Sequence, residues 1–239
     1  MDDWHSWWSA WNLDMTSVCM VVHAEGPGDL GTTPWDLSPK DSLQPDDLGP
    51  AHIIVQRILT EGAQIPAAAI DFVEPLRTKT GARAQGSQLL KPSTLDEILA
   101  GWLLAPPLIV LLVDSDDQPP AERAAILEEA LKRNLLRGAV GVAVKEFESW
   151  LIADAQAISQ VIGKVENTCQ APENLACRAA KQNLQKWSKD IAQPSRQLVD
   201  IRRKLANVMS LDVVANICPS FKAFRQALLE LDTQKTKTQ

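Results

Sequence analysis

Four short apolar runs recur along this chain, and residues typical of turns separate them from the segments between. We predict a buried β-strand for each run, at residues 17–23, 67–73, 108–113 and 139–145. The intervening segments carry apolar residues at helical spacing, at residues 48–61, 93–99 and 119–134. Parallel strands need a crossover connection, and a helix usually supplies it. The alternation therefore predicts an α/β fold with a mostly parallel, four-stranded sheet covered by helices.

Length and hydropathy set the expected domain organisation. With 239 residues, 45% of them hydrophobic, the chain suits one large domain, or a core plus a small lobe. We predict a Trp-rich leader over residues 1–16, an α/β core over residues 17–154, and a helical C-terminal lobe over residues 155–239 that packs on the core. The N-terminus lacks the regions of a signal peptide, and the longest apolar stretch is about half of a membrane span. We expect a cytoplasmic protein without a membrane segment, whose four scattered cysteines stay reduced instead of forming disulfides or a zinc site.

Acidic and basic residues are unevenly distributed. The net charge is -6, yet residues 167–239 carry twelve basic and six acidic residues, whereas residues 1–50 carry one basic and nine acidic residues. A basic lobe beside an acidic metal site would suit a phosphodiester substrate. The alternative is that these Lys and Arg residues are solvated helix surfaces, because no run of them is dense.

Two acidic positions follow predicted strands. Glu25 comes after the first strand, in a Glu-Gly-Pro-Gly-Asp turn (residues 25–29), and Asp114 and Asp116 come after the third. Residues just past the carboxyl ends of parallel strands line the ligand crevice of an open sheet. Alternation along an extended backbone would point Asp114 and Asp116 to the same side. Three carboxylates that meet there predict a Mg²⁺ or Mn²⁺ site, since both ions prefer oxygen ligands.

Each of these positions has a structural alternative. A glutamate at a strand end is often only a solvated charge, although the glycines of residues 25–29 would allow a tight turn and close approach of a ligand. The acids at residues 114–117 would otherwise cap the helix that begins near Pro119. We assign Asp117 to capping or solvent.

A third acidic position follows the fourth predicted strand. Glu146 and Glu148 would lie at the same edge of the sheet as metal ligands or water-positioning residues. The alternative is that both only favour the dipole of the helix that they begin. Lys181 and Arg178 are predicted on a helix in the basic third of the chain, where they would stabilise charge on a phosphate. For either cation alone, a surface position without function is the alternative.

A basic loop containing glycine separates the second strand from the second helix. It spans residues 75–92, and its Arg77, Lys79 and Arg83 are predicted to hold a nucleic-acid backbone. Motifs for other chemistries are missing from the sequence. It has no G-x-x-x-x-G-K-S/T loop for ATP and no G-x-S-x-G nucleophile turn. Its three histidines show no metal-ligand spacing.

The leader carries four of the eight tryptophans. Trp4, Trp7, Trp8 and Trp11 fall at i, i+3, i+4 and i+7, which is one face of a helix. An exposed face of this kind would bind a partner. Two alternatives are docking on the body of the same chain and a true start of translation at Met15.

The acidic positions resemble a known signature. Val-Val-His-Ala-Glu-Gly at residues 21–26 and Val-Asp-Ser-Asp at residues 113–116 resemble the TOPRIM (topoisomerase–primase) pattern of one glutamate and a later Asp-x-Asp. Later pieces are similar to a family of small bacterial TOPRIM-like proteins: Val-Lys-Glu-Phe-Glu-Ser-Trp-Leu-Ile-Ala-Asp at residues 144–154, Pro-Glu-Asn at residues 172–174, Lys181, and Cys-Pro-Ser-Phe-Lys-Ala-Phe at residues 218–224. That family is related to the OLD-type nucleases, and its genes often lie beside ATPases in defence loci.

The resemblance covers roughly residues 17 to 231. It implies a Rossmann-like, mainly parallel sheet and Mg²⁺-dependent chemistry on phosphodiester bonds. It leaves the leader without a counterpart, and the Pro-rich insert between residues 29 and 47 is a departure from the pattern.

Roles for the acids also follow from the resemblance. Glu25 resembles the general base and a metal ligand, and Asp114 and Asp116 resemble metal ligands. Glu146 and Glu148 resemble acids that OLD-type enzymes add for a second metal, which would lie about 4 Å from the first.

The expected function is that of a Mg²⁺-dependent nuclease in phage defence or genome maintenance. Its expected partners are nucleic acid and an ATPase of the AAA or ABC type encoded nearby, and a homo-oligomer is left open. One alternative is a non-catalytic TOPRIM-shaped module that binds the ATPase. Another is a metal-dependent phosphatase, because the same acids would serve a small phosphoester. The fold alone does not decide between them.

Overall fold

A computed structural model describes residues 17–26, 28–31, 42–102, 104, 106–163, 169–188 and 196–233. The Trp-rich leader, with the prediction made for it, lies outside the described residues, and so does part of the Pro-rich insert. Among the helices that are described, none combines the length and the apolar character needed to cross a membrane.

Four parallel strands form one sheet: β1 Val18–Ala24, β2 Ile70–Val73, β3 Leu108–Asp114 and β4 Gly138–Ala143. Their order in the sheet is β2-β1-β3-β4. In register, Val21 lies between Val73 and Ile109. The predicted α/β fold with a parallel, four-stranded, Rossmann-like sheet is confirmed. Because β2 and β3 flank β1 on opposite sides, the strand order reverses between β1 and β3, which is where open sheets bind ligands.

The α-helices of the described chain are α1 Pro50–Gly62, α2 Pro92–Ala100, α3 Pro120–Arg133, α4 Glu148–Leu151, α5 Ala155–Val161, α6 Ala179–Ser188, α7 Arg196–Val208, α8 Leu211–Ile217 and α9 Pro219–Thr233. Short 3-10 turns lie at Pro45–Asp47, Ala67–Ala69, Gly86–Leu90 and Pro172–Asn174. The helix predicted over residues 93–99 begins one residue earlier, since Lys91 is the N-cap and Pro92 the first helical residue. Proline suits that position because its φ is helical and its missing N–H would have no partner there.

Helices cover both faces of the sheet. On one face, α2 and α3 pack against side chains such as Val21 and Leu111. On the other face, α1, α7 and α9 pack against side chains such as Met20 and Val22. The helical C-terminal region is therefore one layer of the core. A Cβ on Gly141 in β4 would lie 2.7 Å from the Phe224 ring, so this glycine lets α9 approach the sheet closely.

Candidate metal centre

Glu25 and Asp114 meet at the point where the strand order reverses. Glu25 directly follows β1, and Asp114 is the last residue of β3. The Glu25 N–H donates to the Leu112 carbonyl at 3.1 Å, which extends the parallel pairing past β1. The Asp114 N–H in turn donates to Glu25 Oε2 at 2.8 Å. Two of the acids predicted from the sequence are therefore joined by a hydrogen bond.

The glycine-containing turn after β1 directs Asp29 back toward these acids. Asp29 is 6% exposed, and its Oδ2 accepts the Gly26 N–H at 3.1 Å. A Cβ on Gly26 would collide with that carboxylate, and a Cβ on Gly28 would lie 2.7 Å from Arg202 Nη1. The glycines predicted to allow a tight turn thus make room for a buried carboxylate and a guanidinium.

Asp116 lies beyond β3, and its backbone is left-handed. The alternation predicted for Asp114 and Asp116 is wrong, because the chain turns after Asp114 and Asp116 has a φ of 47°. Arg123 of α3 nevertheless links the three predicted ligands. Its Nη2 lies 3.0 Å from Asp116 Oδ2, and its Nη1 lies 3.9 Å from Glu25 Oε2. The same Nη1 donates to the backbone carbonyl of Asp114.

Arg202 of α7 serves a second pair of acids. Its Nη1 lies 3.5 Å from Asp29 Oδ1, and its Nη2 pairs with Glu148 Oε1 at the start of α4. The arginine is 6% exposed, and Glu148 is 3% exposed. The carboxylate of Glu148, which the sequence assigned to a metal, is thus bound by a buried guanidinium.

Glu146 holds the beginning of α6. Its Oε1 accepts the backbone N–H of Lys181 at 2.8 Å, and the carboxylate is buried. The first N–H groups of a helix have no intrahelical partner, and negative charge near them is favourable. Glu146 therefore interacts with the N-terminus of a helix, as its structural alternative proposed, but that helix is α6 instead of α4. The neighbouring Phe147 N–H donates to Asp114 Oδ1 at 2.7 Å, so this segment also orients the central acid.

The clustered carboxylates repel one another. Burial, followed by the charges of Asp29 and Glu25, raises the pKa of Asp114 to about 8. Burial also raises the pKa of Glu25, and the charge of Asp116 adds to this effect. The pKa of Asp29 is raised by burial, which the Arg202 guanidinium only partly opposes. The site therefore holds more negative charge than its two arginines neutralise.

The donor set of this site suits a hard divalent cation. Glu25, Asp114 and Asp116 offer only oxygen ligands, as Mg²⁺ and Mn²⁺ prefer, and a bound cation would relieve the repulsion between them. Within the described ranges, however, no three His, Cys, Asp or Glu side chains already form a group that could hold a metal ion. Arg123 lies among these three acids, so it would have to turn away to admit one. With that movement, the residues fit a metal.

In the loop predicted to bind nucleic acid, one basic side chain forms an internal ion pair and another is exposed to solvent. Arg83 pairs with the buried Glu74, with 2.5 Å between Nη2 and Oε1, so its guanidinium neutralises an internal acid. It is therefore not available as a phosphate contact in this conformation. Lys79 is exposed, and Arg77 is half-buried.

Lys181 lies in the first turn of α6, and Arg178 directly precedes that helix. Both side chains are exposed, and the Lys181 charge opposes the rise in the pKa of Asp29. Arg178 has a φ of 68°, and Lys145, after β4, has a φ of 66°. Left-handed backbone at non-glycine residues is uncommon and costly, and it often marks functional sites.

Two of the segments that resembled the bacterial TOPRIM-like family meet in the core. The Trp150 Nε1–H donates to Ser220 Oγ at 2.8 Å, and Ser220 Oγ pairs with Glu173 Oε1. The Trp150 ring stacks on Phe224 and contacts Phe221 edge-on. These residues tie α4 to α9, so their role in the structure is packing.

Three residues of this site were not assigned from the sequence. Asp29 had a local signal, because it ends a glycine-containing turn after a strand. Arg123 lies nine residues beyond Asp114 on the next helix, where a basic residue is ordinary. Arg202 is 173 residues from Asp29 in sequence, and only the packing of α7 brings the two together.

Fold and site together define an α/β protein with a parallel, Rossmann-like sheet and a cluster of carboxylates where its strand order reverses. Residues 53–229 match the family described as Domain of unknown function (DUF4276), and the chain belongs to that family. The matched range contains β2, β3 and β4, whereas β1 precedes it. No curated protein and no solved structure matches the chain.

Proposed function

We propose that this protein is a TOPRIM-like nuclease that depends on Mg²⁺ or Mn²⁺ and acts with an ATPase partner in phage defence or genome maintenance. The observation that carries the proposal is the convergence of four carboxylates, those of Glu25, Asp29, Asp114 and Asp116, where the strand order reverses. A bound cation would relieve the repulsion between these acids, and their position in the sheet is the usual one for a ligand.

The acids of the site would have two roles, binding of the metal and acceptance of a proton. Glu25, Asp114 and Asp116 would hold the metal, which supplies an activated water and positive charge beside the phosphate. Glu25 would accept the proton of the attacking water, because burial raises its pKa toward the working pH. The Asp114 N–H orients the Glu25 carboxylate, and the Phe147 N–H orients that of Asp114.

Exposed cations at the same edge of the sheet would meet the phosphates of the substrate. The loop that carries Lys79 adjoins the acids, since the Gly86 N–H donates to the Glu25 carbonyl at 3.0 Å. Lys181 would neutralise charge that develops on the phosphate under attack. Lys79 and Arg178 would contact the backbone further from the scissile bond.

Cleavage assays test this proposal. The full-length protein, alone and with the ATPase encoded beside its gene, is incubated with single- and double-stranded DNA and RNA in Mg²⁺, Mn²⁺ or EDTA. We expect cleavage only with metal, and a loss of about 10²–10⁴-fold in Glu25→Gln because the proton acceptor is removed. Asp114→Ala is expected to abolish cleavage, and Lys181→Ala to lower the rate by less.

Asp117→Asn is the matched control for these variants. Asp117 is an exposed acid beside the cluster, and it pairs with Lys145 at 2.9 Å. We expect its substitution to leave the cleavage rate near that of the wild type. The nuclease proposal fails if no nucleic acid is cleaved in a metal-dependent way, with or without the ATPase.

A non-catalytic module that binds an ATPase is the second candidate. It is favoured by the internal partners of the acids, since Arg123 contacts Glu25 and Asp116, and Arg202 binds Asp29. Acids neutralised in this way would be part of a scaffold. If the protein is such a module, Asp114→Asn should retain both ATPase binding and protection against phage. If the protein is a nuclease, the same variant should retain ATPase binding and lose protection against phage.

A further inference from the structure

The two edges of the sheet differ. At the β2 edge, Ser42 forms an antiparallel bridge with Val73, and the Leu43 N–H donates to the Phe72 carbonyl at 2.7 Å. At the β4 edge, no strand of the described chain pairs with β4 on the side away from β3. An uncovered edge presents a row of backbone N–H and C=O groups that a strand of another chain can bind.

The pairing of β4 with β3 identifies the backbone groups at this edge. The Ile109 N–H donates to the Arg137 carbonyl at 3.0 Å, just before β4 begins. Successive residues of a strand direct their backbone groups to opposite sides. The odd-numbered residues of β4 therefore face β3, and the even-numbered ones, Gly138, Val140 and Val142, direct their N–H and C=O groups outward.

The sequence of β4 lacks the features that usually protect an edge strand. Such strands commonly carry proline, charged side chains or a bulge, each of which discourages pairing with another chain. β4 reads Gly-Ala-Val-Gly-Val-Ala, and its register with β3 is continuous from Gly138 to Ala143. The uncovered edge of the described sheet is therefore also an unprotected one.

An apolar groove of about 300 Å³ lies beside this edge, between α3 and α9. Leu131, Leu136, Val140 and Ala227 are among its lining residues. The neighbouring Leu135 is 90% exposed and has a φ of 53°. Left-handed backbone is uncommon for a bulky residue, and here it presents a leucine to water beside an apolar groove. A chain that covered the edge would bury both.

The charges at the rim of the groove indicate which chain this is. Glu128 and Lys132 are exposed, and both line the groove from α3. A second copy that pairs with β4 in the antiparallel direction is related by a two-fold axis normal to the sheet, which sets the two α3 helices side by side and antiparallel. Glu128 of each copy then lies opposite Lys132 of the other. The surface is complementary to itself in strand and in charge.

We propose that a second copy of this chain binds at β4, about a two-fold axis near Ala139. Gly138 of each copy then pairs with Val140 of the other, and these are the outward-facing residues at the level of the groove. The two sheets join into one continuous sheet. The proposal does not depend on the nuclease proposal, because none of the clustered acids takes part in it.

Sedimentation equilibrium of the full-length protein measures this association. We expect the wild type to form a dimer with twice the mass of the chain. Glu128→Lys and Lys132→Glu each place like charges across two symmetry-related contacts, so each should raise the dissociation constant at least about tenfold. The matched control is Glu129→Lys, at an exposed acid of the same helix outside the groove, which should leave the dissociation constant unchanged.

An equimolar mixture of the two charge variants identifies the bound chain. In a mixed dimer, the two lysines of one copy lie opposite the two glutamates of the other, so we expect association to recover. Amide hydrogen exchange gives a second measurement. The N–H groups of Gly138 and Val140 should exchange slowly in the wild-type dimer and faster in each charge variant alone, because strand pairing protects them.

Leu135→Gly tests the same surface without a change of charge. Glycine adopts a positive φ readily, so the stability of the monomer should not fall, whereas the loss of an apolar side chain should weaken the dimer. A wild-type protein that stays monomeric, a dimer insensitive to both charge variants, or a mixture that fails to recover would overturn the proposal. Protection of the β4 amides only after the ATPase is added would also overturn it, and would assign the edge to that protein.

Discussion

Asp114 is a carboxyl group that is difficult to ionise in the folded protein. Its pKa rises from an ordinary value of 3.8 to about 8, first because of burial and then because of the charges of Asp29 and Glu25. Without metal, the folded chain therefore holds a proton that the unfolded chain releases. The stabilisation from that proton is complete below the unfolded-state pKa and is lost as the pH rises through about 8.

Asp114→Asn should remove this dependence on pH. In EDTA, we expect the wild-type free energy of unfolding to fall between about pH 5 and 8, by at most about 1.4 kcal/mol per pH unit. The Asn variant should match the wild type near pH 5 and exceed it near pH 8, because its amide stays neutral. Urea unfolding at both pH values measures the difference.

Asp96→Asn is the control for that experiment. A hydrogen bond from Arg133 lowers the pKa of Asp96, so this group is ionised at both pH values. Its substitution should change the stability by the same amount at each. A gain in Asp114→Asn that does not grow with pH would contradict the argument.

The sequence predicted some residues of the site and not others, for a physical reason. Glu25 and Asp114 could be predicted from the sequence because the ends of two adjacent parallel strands determine where they lie. The position of Asp116 depends on a turn with positive φ, which the strand pattern does not encode. Arg202 reaches Asp29 only through the packing of α7, and no spacing rule connects residues so far apart.

At the scale of the structural elements, α4 is buried along its whole length. All four of its residues are buried, although the helix has only one turn. Trp150 reaches α9 through its hydrogen bond to Ser220 and its stacking on Phe224. Because Glu148 of the same turn binds Arg202, this packing also positions one side of the acidic site.

A double-mutant cycle measures the Trp150–Ser220 hydrogen bond. Ser220→Ala leaves the buried indole N–H without its acceptor, which should cost about 1–3 kcal/mol. Trp150→Phe removes the donor and some of the packing, so its cost should be larger. The double variant should lose less than the sum of the two, because the same bond is lost only once. Strict additivity in urea unfolding would show that the bond contributes nothing.

The observed ends of the strands show where the apolar pattern of the sequence predicts structure and where it does not. The second strand begins at Ile70, because Ala67–Ala69 forms a 3-10 turn that composition did not distinguish from a strand. The fourth strand ends at Ala143, before the predicted end at residue 145. Lys145 has a positive φ, and its N–H donates to Ser115 Oγ instead of a neighbouring strand. Side-chain hydrogen bonds of this kind end strands without an apolar signal.

At the scale of the whole molecule, the helical C-terminal region and the sheet share one core. On one face of the sheet, α9 packs on β4 and α7 packs on α1. Arg57 of α1 donates from Nη1 to the carbonyls of Ala206 and Met209, at 2.8 and 2.7 Å, which ties the end of α7 to the core. The described helices after residue 155 therefore contribute to the same core as the sheet.

The protein should therefore unfold as one cooperative unit. Removing α8 and α9, by ending the chain after residue 210, exposes one face of β4 and the Trp150 ring to water. Loss of a whole layer exceeds the few kcal/mol by which domains are stable, so we expect the shortened chain to lack a cooperative transition. For the full chain, we expect the calorimetric and van't Hoff enthalpies to agree, and the far-UV and near-UV circular dichroism transitions to coincide. Two separate transitions in the full chain, or a sharp transition in the shortened one, would instead show that the C-terminal helices form an independent lobe.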